Sequence, residues 1–153
     1  SSELRQSVER MAAKMSHLPP PVLKCYSDLQ EILLDKELAA LGDAYVNFVY
    51  SLAMSQKHGH PVGAKVNNSV LAQAVSLSGL RGLLPHRLDK HGRGNAAEAL
   101  LVFAWLSDIQ ELEDCTRALS TEENLSQAFA ALLRDALQRL DENHGQKKAE
   151  PTC

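Results

Sequence analysis

The stretch ELAALGDAYVNFVYSLA, Glu37 to Ala53, decides how the rest of the chain is read. Leu34, Leu38, Leu41, Tyr45, Phe48 and Leu52 recur at alternating spacings of three and four, which marks one apolar face of an α-helix. Ala39, Val46, Tyr50 and Ala53 make a second stripe on the opposite side. Such a helix is apolar nearly all round and is expected between neighbours, with the first stripe in the core. Asp43 falls in the middle of the second stripe. A buried, unpaired carboxylate is costly and either takes up a proton or finds a partner, a cation or a wet cleft. Gly42 beside it lets another backbone come close.

The stretch NAAEALLVFAWL, Asn95 to Leu106, repeats the problem, because Glu98 is its sole ionisable side chain. Glu98 shares a stripe with Val102, Trp105 and Leu106, and Trp105 reads as a core aromatic. Asn95, three residues earlier, projects from the same face. Two apolar helices that each carry one carboxylate suggest that the carboxylates converge. Convergent carboxylate oxygens, filled out by an amide and waters, are the donors that Mg²⁺ or Mn²⁺ prefers. Periodicity alone leaves a structural alternative open, in which each acid caps a helix or pairs with a base.

Outward from these helices the pattern stays helical and all-α, with no strict alternation and no internal repeat. A first helix is expected over residues 3–16, capped near Ser1 or Ser2 and closed by Pro19 to Pro21. A helical segment from Val22 to Leu34 leads into the Asp43 helix, and Asn67 to Leu77 resumes helical spacing. Gly79 to Gly94 is rich in turn formers. A last helix spans Glu122 to Leu140, with Thr121 as its cap and Leu125, Phe129, Leu132, Leu133, Ala136, Leu137 and Leu140 as its buried face. Residues 1–143 form one domain in this reading, and 144–153 a mobile tail.

The bulk numbers exclude several classes. At 153 residues, 44% hydrophobic and 23% charged, the chain has the make-up of an ordinary globular domain with one core. No apolar run reaches membrane-spanning length, so a cytoplasmic location is expected. Cys25, Cys115 and Cys153 are odd in number and far apart, which suits reduced thiols. The net charge of -3 argues against binding nucleic acid by overall charge, so any such contact is local. The local candidate is HRLDKHGR, His86 to Arg93, just before the Glu98 helix. His58 and His60 flank Gly59 without a third ligand nearby, and His17, His86, His91 and His144 read as surface residues.

Three segments together resemble the ribonuclease III family. ELAALGDAYVNFVYSLA resembles its Leu-Gly-Asp-Ser/Ala motif, which puts Asp43 on the catalytic aspartate. VNNSVLAQAVSLSGLRGLL, Val66 to Leu84, is similar to the family's second helical segment. GNAAEALLVFAWLSD, Gly94 to Asp108, resembles the Asp-Ala-x-Glu-Ala-Leu segment, which puts Glu98 on the catalytic glutamate. The likeness extends to a compact archaeal ribonuclease III-like group and to the short Mini-III class. Two of the four acidic positions of the bacterial enzyme differ, being Lys36 and Asn95, and the usual structural glutamate is Ala39. Mini-III keeps the same two acids as this chain.

The resemblance implies an all-α ribonuclease III-type domain that works as a homodimer, hydrolysing double-stranded or structured RNA to 5'-phosphate and 3'-hydroxyl ends. It implies one Mg²⁺ or Mn²⁺ held by Asp43 and Glu98, with Asn95 as a supplementary ligand. Arg87, Lys90 and Arg93 are then the expected phosphate contacts, with Lys65 and Lys57 weaker candidates. Lys36 either meets a phosphate or pairs with Asp43. The alternative is an RNA-binding or ribosome-associated scaffold that kept the fold and lost the chemistry, favoured by Lys36 and Asn95. A protein-interaction module is the third class.

Overall fold

The computed structural model describes residues 2–15 and 23–146, with side chains described for 2–10 and 23–142. Among the described residues there are seven α-helices, one short 3-10 turn and no strand, as the helical periodicity predicts. They are α1 (Ser2–Met15), α2 (Leu29–Leu33), α3 (Lys36–His58), α4 (Asn68–Ser78), the 3-10 turn (Leu80–Leu83), α5 (Lys90–Leu106), α6 (Leu112–Thr121) and α7 (Leu125–Gln146). No helix among them is long and apolar enough to cross a membrane.

α5 is the central element and packs against α2, α3, α4 and α7. Its sequence explains why. Ala96, Ala97, Ala99, Leu100, Leu101, Val102 and Ala104 are all buried, so almost every side of the helix meets a neighbour. α3 crosses α5 on one side and carries α6 on the other, while α4 and α7 close the opposite side. The α3–α5 crossing is unusually close because it is made of small residues. A Cβ built on Gly42 would lie 2.1 Å from the Glu98 carbonyl oxygen, so only a glycine lets the two backbones touch there.

That crossing corrects the expected orientation of α3. The buried stripe is Ala39, Gly42, Val46, Val49 and Ala53, together with Leu38 and Tyr45. Leu41 and Phe48, expected in the core, are 43% and 55% exposed, and Leu34 is exposed as well. Trp105, expected as a core aromatic, is 40% exposed and stacks on Tyr45 at 5.1 Å.

Several boundaries also shift for local reasons. Asp28 caps α2 by accepting from the Glu31 amide, so helix is confined to the end of the expected Val22–Leu34 segment. Asp89 caps α5 through the Gly92 amide at 2.7 Å, so Lys90 to Gly94 is helical despite its two glycines. Thr121 ends α6 and does not cap α7, and Asn124 accepts from the Gln127 amide instead. The buried face of α7 is as expected, with Phe129, Leu132, Leu133 and Ala136 buried and Leu125, Leu137 and Leu140 packed at its margin. α7 runs to Gln146, past the expected boundary at Asn143. The Pro19–Pro21 break, the Ser1 cap and the last seven residues of the expected tail lie outside the described residues. Cys115 is a buried free thiol, whereas Cys25 is disulfide-bonded, which corrects the expectation of reduced thiols throughout.

Candidate acidic metal site

The α3–α5 crossing carries both acids. Gly42 touches the Glu98 backbone, so Asp43, the next residue on α3, is brought beside the Glu98 side chain. The Glu98 carboxyl hydrogen-bonds Asp43, while its Oε2 is buried without a partner among the described residues. Glu98 is only 3% exposed. Burial, and then the hydrogen bond and charge of Asp43, push its pKa from an ordinary 4.5 up to about 8. Without a cation Glu98 therefore tends to keep its proton at neutral pH.

Asp43 itself is exposed to solvent and held from one side. Asn47, one turn on, donates from Nδ2 to Asp43 Oδ1 at 3.2 Å. Asn47 Oδ1 in turn accepts from the Val66 amide at 2.8 Å, which ties α3 to the segment that enters α4. Asn47 is a positioning residue that the sequence reading missed. Its signal was present, since Asn at i+4 from an acid on a helix is a recognisable hydrogen-bonding pair.

The donor set fits a hard divalent cation. One wet carboxylate faces one buried carboxylate with an unpartnered oxygen, and a cation would relieve both their repulsion and that orphan. Asn95 is half-buried on the Glu98 face of α5, one turn nearer its N-terminus, where its amide oxygen could add a third donor. Among the described residues no group of three or more His, Cys, Asp or Glu is placed to hold a metal. The remaining ligands would have to be waters, as Mg²⁺ commonly keeps them.

The basic candidates fall in different places. Lys36, the first residue of α3, is exposed and makes no ion pair with Asp43 among the described residues. It lines a cavity of about 570 Å³ with Lys24, Tyr26 and Asp35, apart from the acids. The polar groups there are already engaged, Tyr26 donating to Asp35 at 2.7 Å and Asp35 capping α3. Arg87 and Lys90 are exposed, as are Lys57 and Lys65. Arg93 is half-buried and donates from Nη1 to the Leu88 carbonyl at 3.2 Å, so it braces the turn before α5. Arg81, also missed in the sequence, grips that turn through the Pro85 and His86 carbonyls, both at 2.9 Å. His58 and His60 lie with ring centroids 6.0 Å apart.

The order of these elements along the chain matches a family as well as a geometry. The family model described as Ribonuclease III matches residues 36–142, well over half of the chain and α3 through most of α7. The chain belongs to the ribonuclease III family. Within it, this member has two carboxylates at the crossing and an amide, Asn95, at a further expected acidic position. A comparison with curated proteins found no match.

Proposed function

We propose that this ribonuclease III domain is a metal-dependent endoribonuclease acting on double-stranded or structured RNA, with Asp43 and Glu98 as the catalytic metal-holding pair. One observation carries the reading. Glu98 is almost wholly buried, abuts a second carboxylate and keeps one oxygen without a partner among the described residues. Buried carboxylate oxygens are usually satisfied, and a divalent cation would satisfy this one.

Asp43 and Glu98 would hold Mg²⁺ or Mn²⁺, with Asn95 as the supplementary donor. Bound there, the cation supplies charge neutralisation at the scissile phosphate and an acidified water. The chain's own contribution is preorganisation. Asn47 fixes the Asp43 carboxylate from the side, and the Gly42 contact seats Glu98 where bulk water does not reach it. Lys65, Arg87 and Lys90 contribute phosphate contacts that read duplex shape more than base sequence. The products are 5'-phosphate and 3'-hydroxyl ends.

A homodimer completes this reading. Leu41, Tyr45 and Phe48 follow one another at helical spacing on α3, and Trp105 of α5 stacks on Tyr45. The exposed apolar area of Leu41, Phe48 and Trp105 is the surface a second copy would cover. Phe48→Glu is expected to shift a dimer to monomer in light scattering, and a wild-type protein that is monomeric at micromolar concentration would remove this part of the proposal.

Asn95 and Lys36 favour a second reading, an RNA-binding scaffold without turnover. The deciding experiment incubates duplex RNA with Mg²⁺ or Mn²⁺ and compares wild type with Asp43→Asn, Glu98→Gln and the double variant. Cleavage by wild type that drops to background in all three is expected. Duplex binding without turnover by wild type selects the scaffold, and cleavage that survives the double variant discards the site.

A further inference from the structure

His91 lies on the same face of α5 as Asn95 and Glu98, at positions i, i+4 and i+7. The structure ties its ring to a neighbouring helix. Asn68, the first residue of α4, brings Nδ2 to within 3.0 Å of His91 Nδ1. An amide nitrogen can only donate, so Nδ1 is the acceptor and the ring proton sits on Nε2, the opposite nitrogen. The Asn68 side chain reaches this position because residue 94 is glycine. A Cβ there would lie 2.9 Å from Asn68 Oδ1.

These contacts connect His91 to the acids through α3, the start of α4 and α5. Asp43 is held by Asn47, and Asn47 holds the Val66 amide. Two residues further along the chain Asn68 holds His91, and the α5 face then leads through Asn95 back to Glu98 and Asp43. His91 is exposed on the α5 face that also carries Asn95 and Glu98. Seven residues of helix separate it from Glu98, about 10 Å along the axis, too far for the two to share one ion. What an imidazole N–H at that distance can meet is an anion held beside the cation site.

We propose that His91, oriented by Asn68, contacts substrate by donating its Nε2–H to a non-bridging phosphate oxygen of the RNA strand that lies over the Asp43–Glu98 cleft. The proposal rests on the nuclease reading above. It differs from the basic-side-chain contacts in being a ring already held by Asn68 before RNA arrives, so little side-chain freedom is lost on binding.

The test is the affinity of the full chain for a short blunt RNA duplex, followed by fluorescence anisotropy in EDTA so that no turnover occurs, with thermal melting measured on every variant. His91→Ala is expected to bind roughly fivefold to tenfold more weakly, the scale of one hydrogen bond to a charged group near the surface, with an unchanged melting temperature. His91→Gln keeps an N–H donor and should recover most of the affinity. Asn68→Ala should fall between wild type and His91→Ala. Equal binding by wild type and His91→Ala overturns the proposal while leaving the nuclease reading in place. A loss that merely tracks a lower melting temperature, with no recovery in His91→Gln, shows a tether between α4 and α5 and overturns it too. No duplex binding by wild type overturns this proposal, while the nuclease reading is judged by the cleavage assay above.

Discussion

Two polar clusters lie on opposite sides of α3, and they are built to opposite rules. At the far one, buried Gln110 donates to the Leu132 carbonyl at 2.7 Å and to Asp135 at 3.1 Å, and Asp135 is held by Arg139 at 3.1 Å. Arg139 also reaches the Ile109 carbonyl at 2.8 Å, and Tyr45 donates to the Cys115 sulfur at 3.7 Å, which donates on to Gln110. Donors and acceptors answer one another inside the protein. At the near cluster two carboxylates face each other and one buried oxygen has no answer among the described residues. Satisfied networks fix a fold, and an unsatisfied one implies something from outside.

The largest effect should come from closing the crossing that creates the second cluster. Gly42→Ala would gain about 1 kcal/mol of helix propensity. The new Cβ, however, would sit 2.1 Å from the Glu98 carbonyl oxygen and 2.4 Å from its carbon, both backbone atoms. Overpacking costs about 1–3 kcal/mol even where side chains give way, and here none is available to do so. The clash wins. We expect a melting temperature lower by many degrees and no cleavage. A stable, active Gly42→Ala would mean that α3 and α5 do not touch at this point.

Gln110→Ala should act next in size and in a different currency. It leaves buried partners of Gln110 unanswered, at a cost of about 1–3 kcal/mol. Thermal melting should fall, while cleavage per folded molecule stays at the wild-type level. Equal damage to stability and chemistry would break the contrast between the clusters.

Much of the near cluster was legible in the sequence, and the reason is specific. Asp43 and Glu98 stand out as lone charges in apolar helices, and Gly42 marks a close approach that the structure indeed uses. What periodicity could not decide was which of two apolar stripes of α3 faces inward. The winner is the small-residue stripe, because the partner face of α5 is rich in alanine and two such faces approach closely, leaving bulky Leu41 and Phe48 outside. The first turn of α5 was hidden by Gly92 and Gly94, which read as turn residues. α6 was hidden by its acidic start, Glu113 and Asp114, and shows only a narrow buried stripe of Cys115, Thr116 and Leu119. The contacts of Asn47 with Val66 and of Asn68 with His91 join segments distant in the chain, and no local pattern announces them.

The smallest effect is also the most direct probe of the orphaned oxygen. Glu98 has a folded-state pKa of about 8 against 4.5 in the unfolded chain, so between those values the folded protein holds a proton that the unfolded one releases. More protons bound in the native state means that stability falls as pH rises, fully present below about 4.5 and lost by the time pH passes about 8. The cation-free protein should therefore melt several degrees lower at the alkaline end of that window than at the acid end. Glu98→Gln keeps the shape, removes the ionisation and should flatten this part of the profile, melting above wild type at alkaline pH. Adding Mn²⁺ should raise the wild-type melting temperature most at alkaline pH, where the cation takes the place of the departing proton, and should do little for Glu98→Gln. A wild-type profile already flat without cation would mean that Glu98 finds a partner, and the two clusters would then be alike.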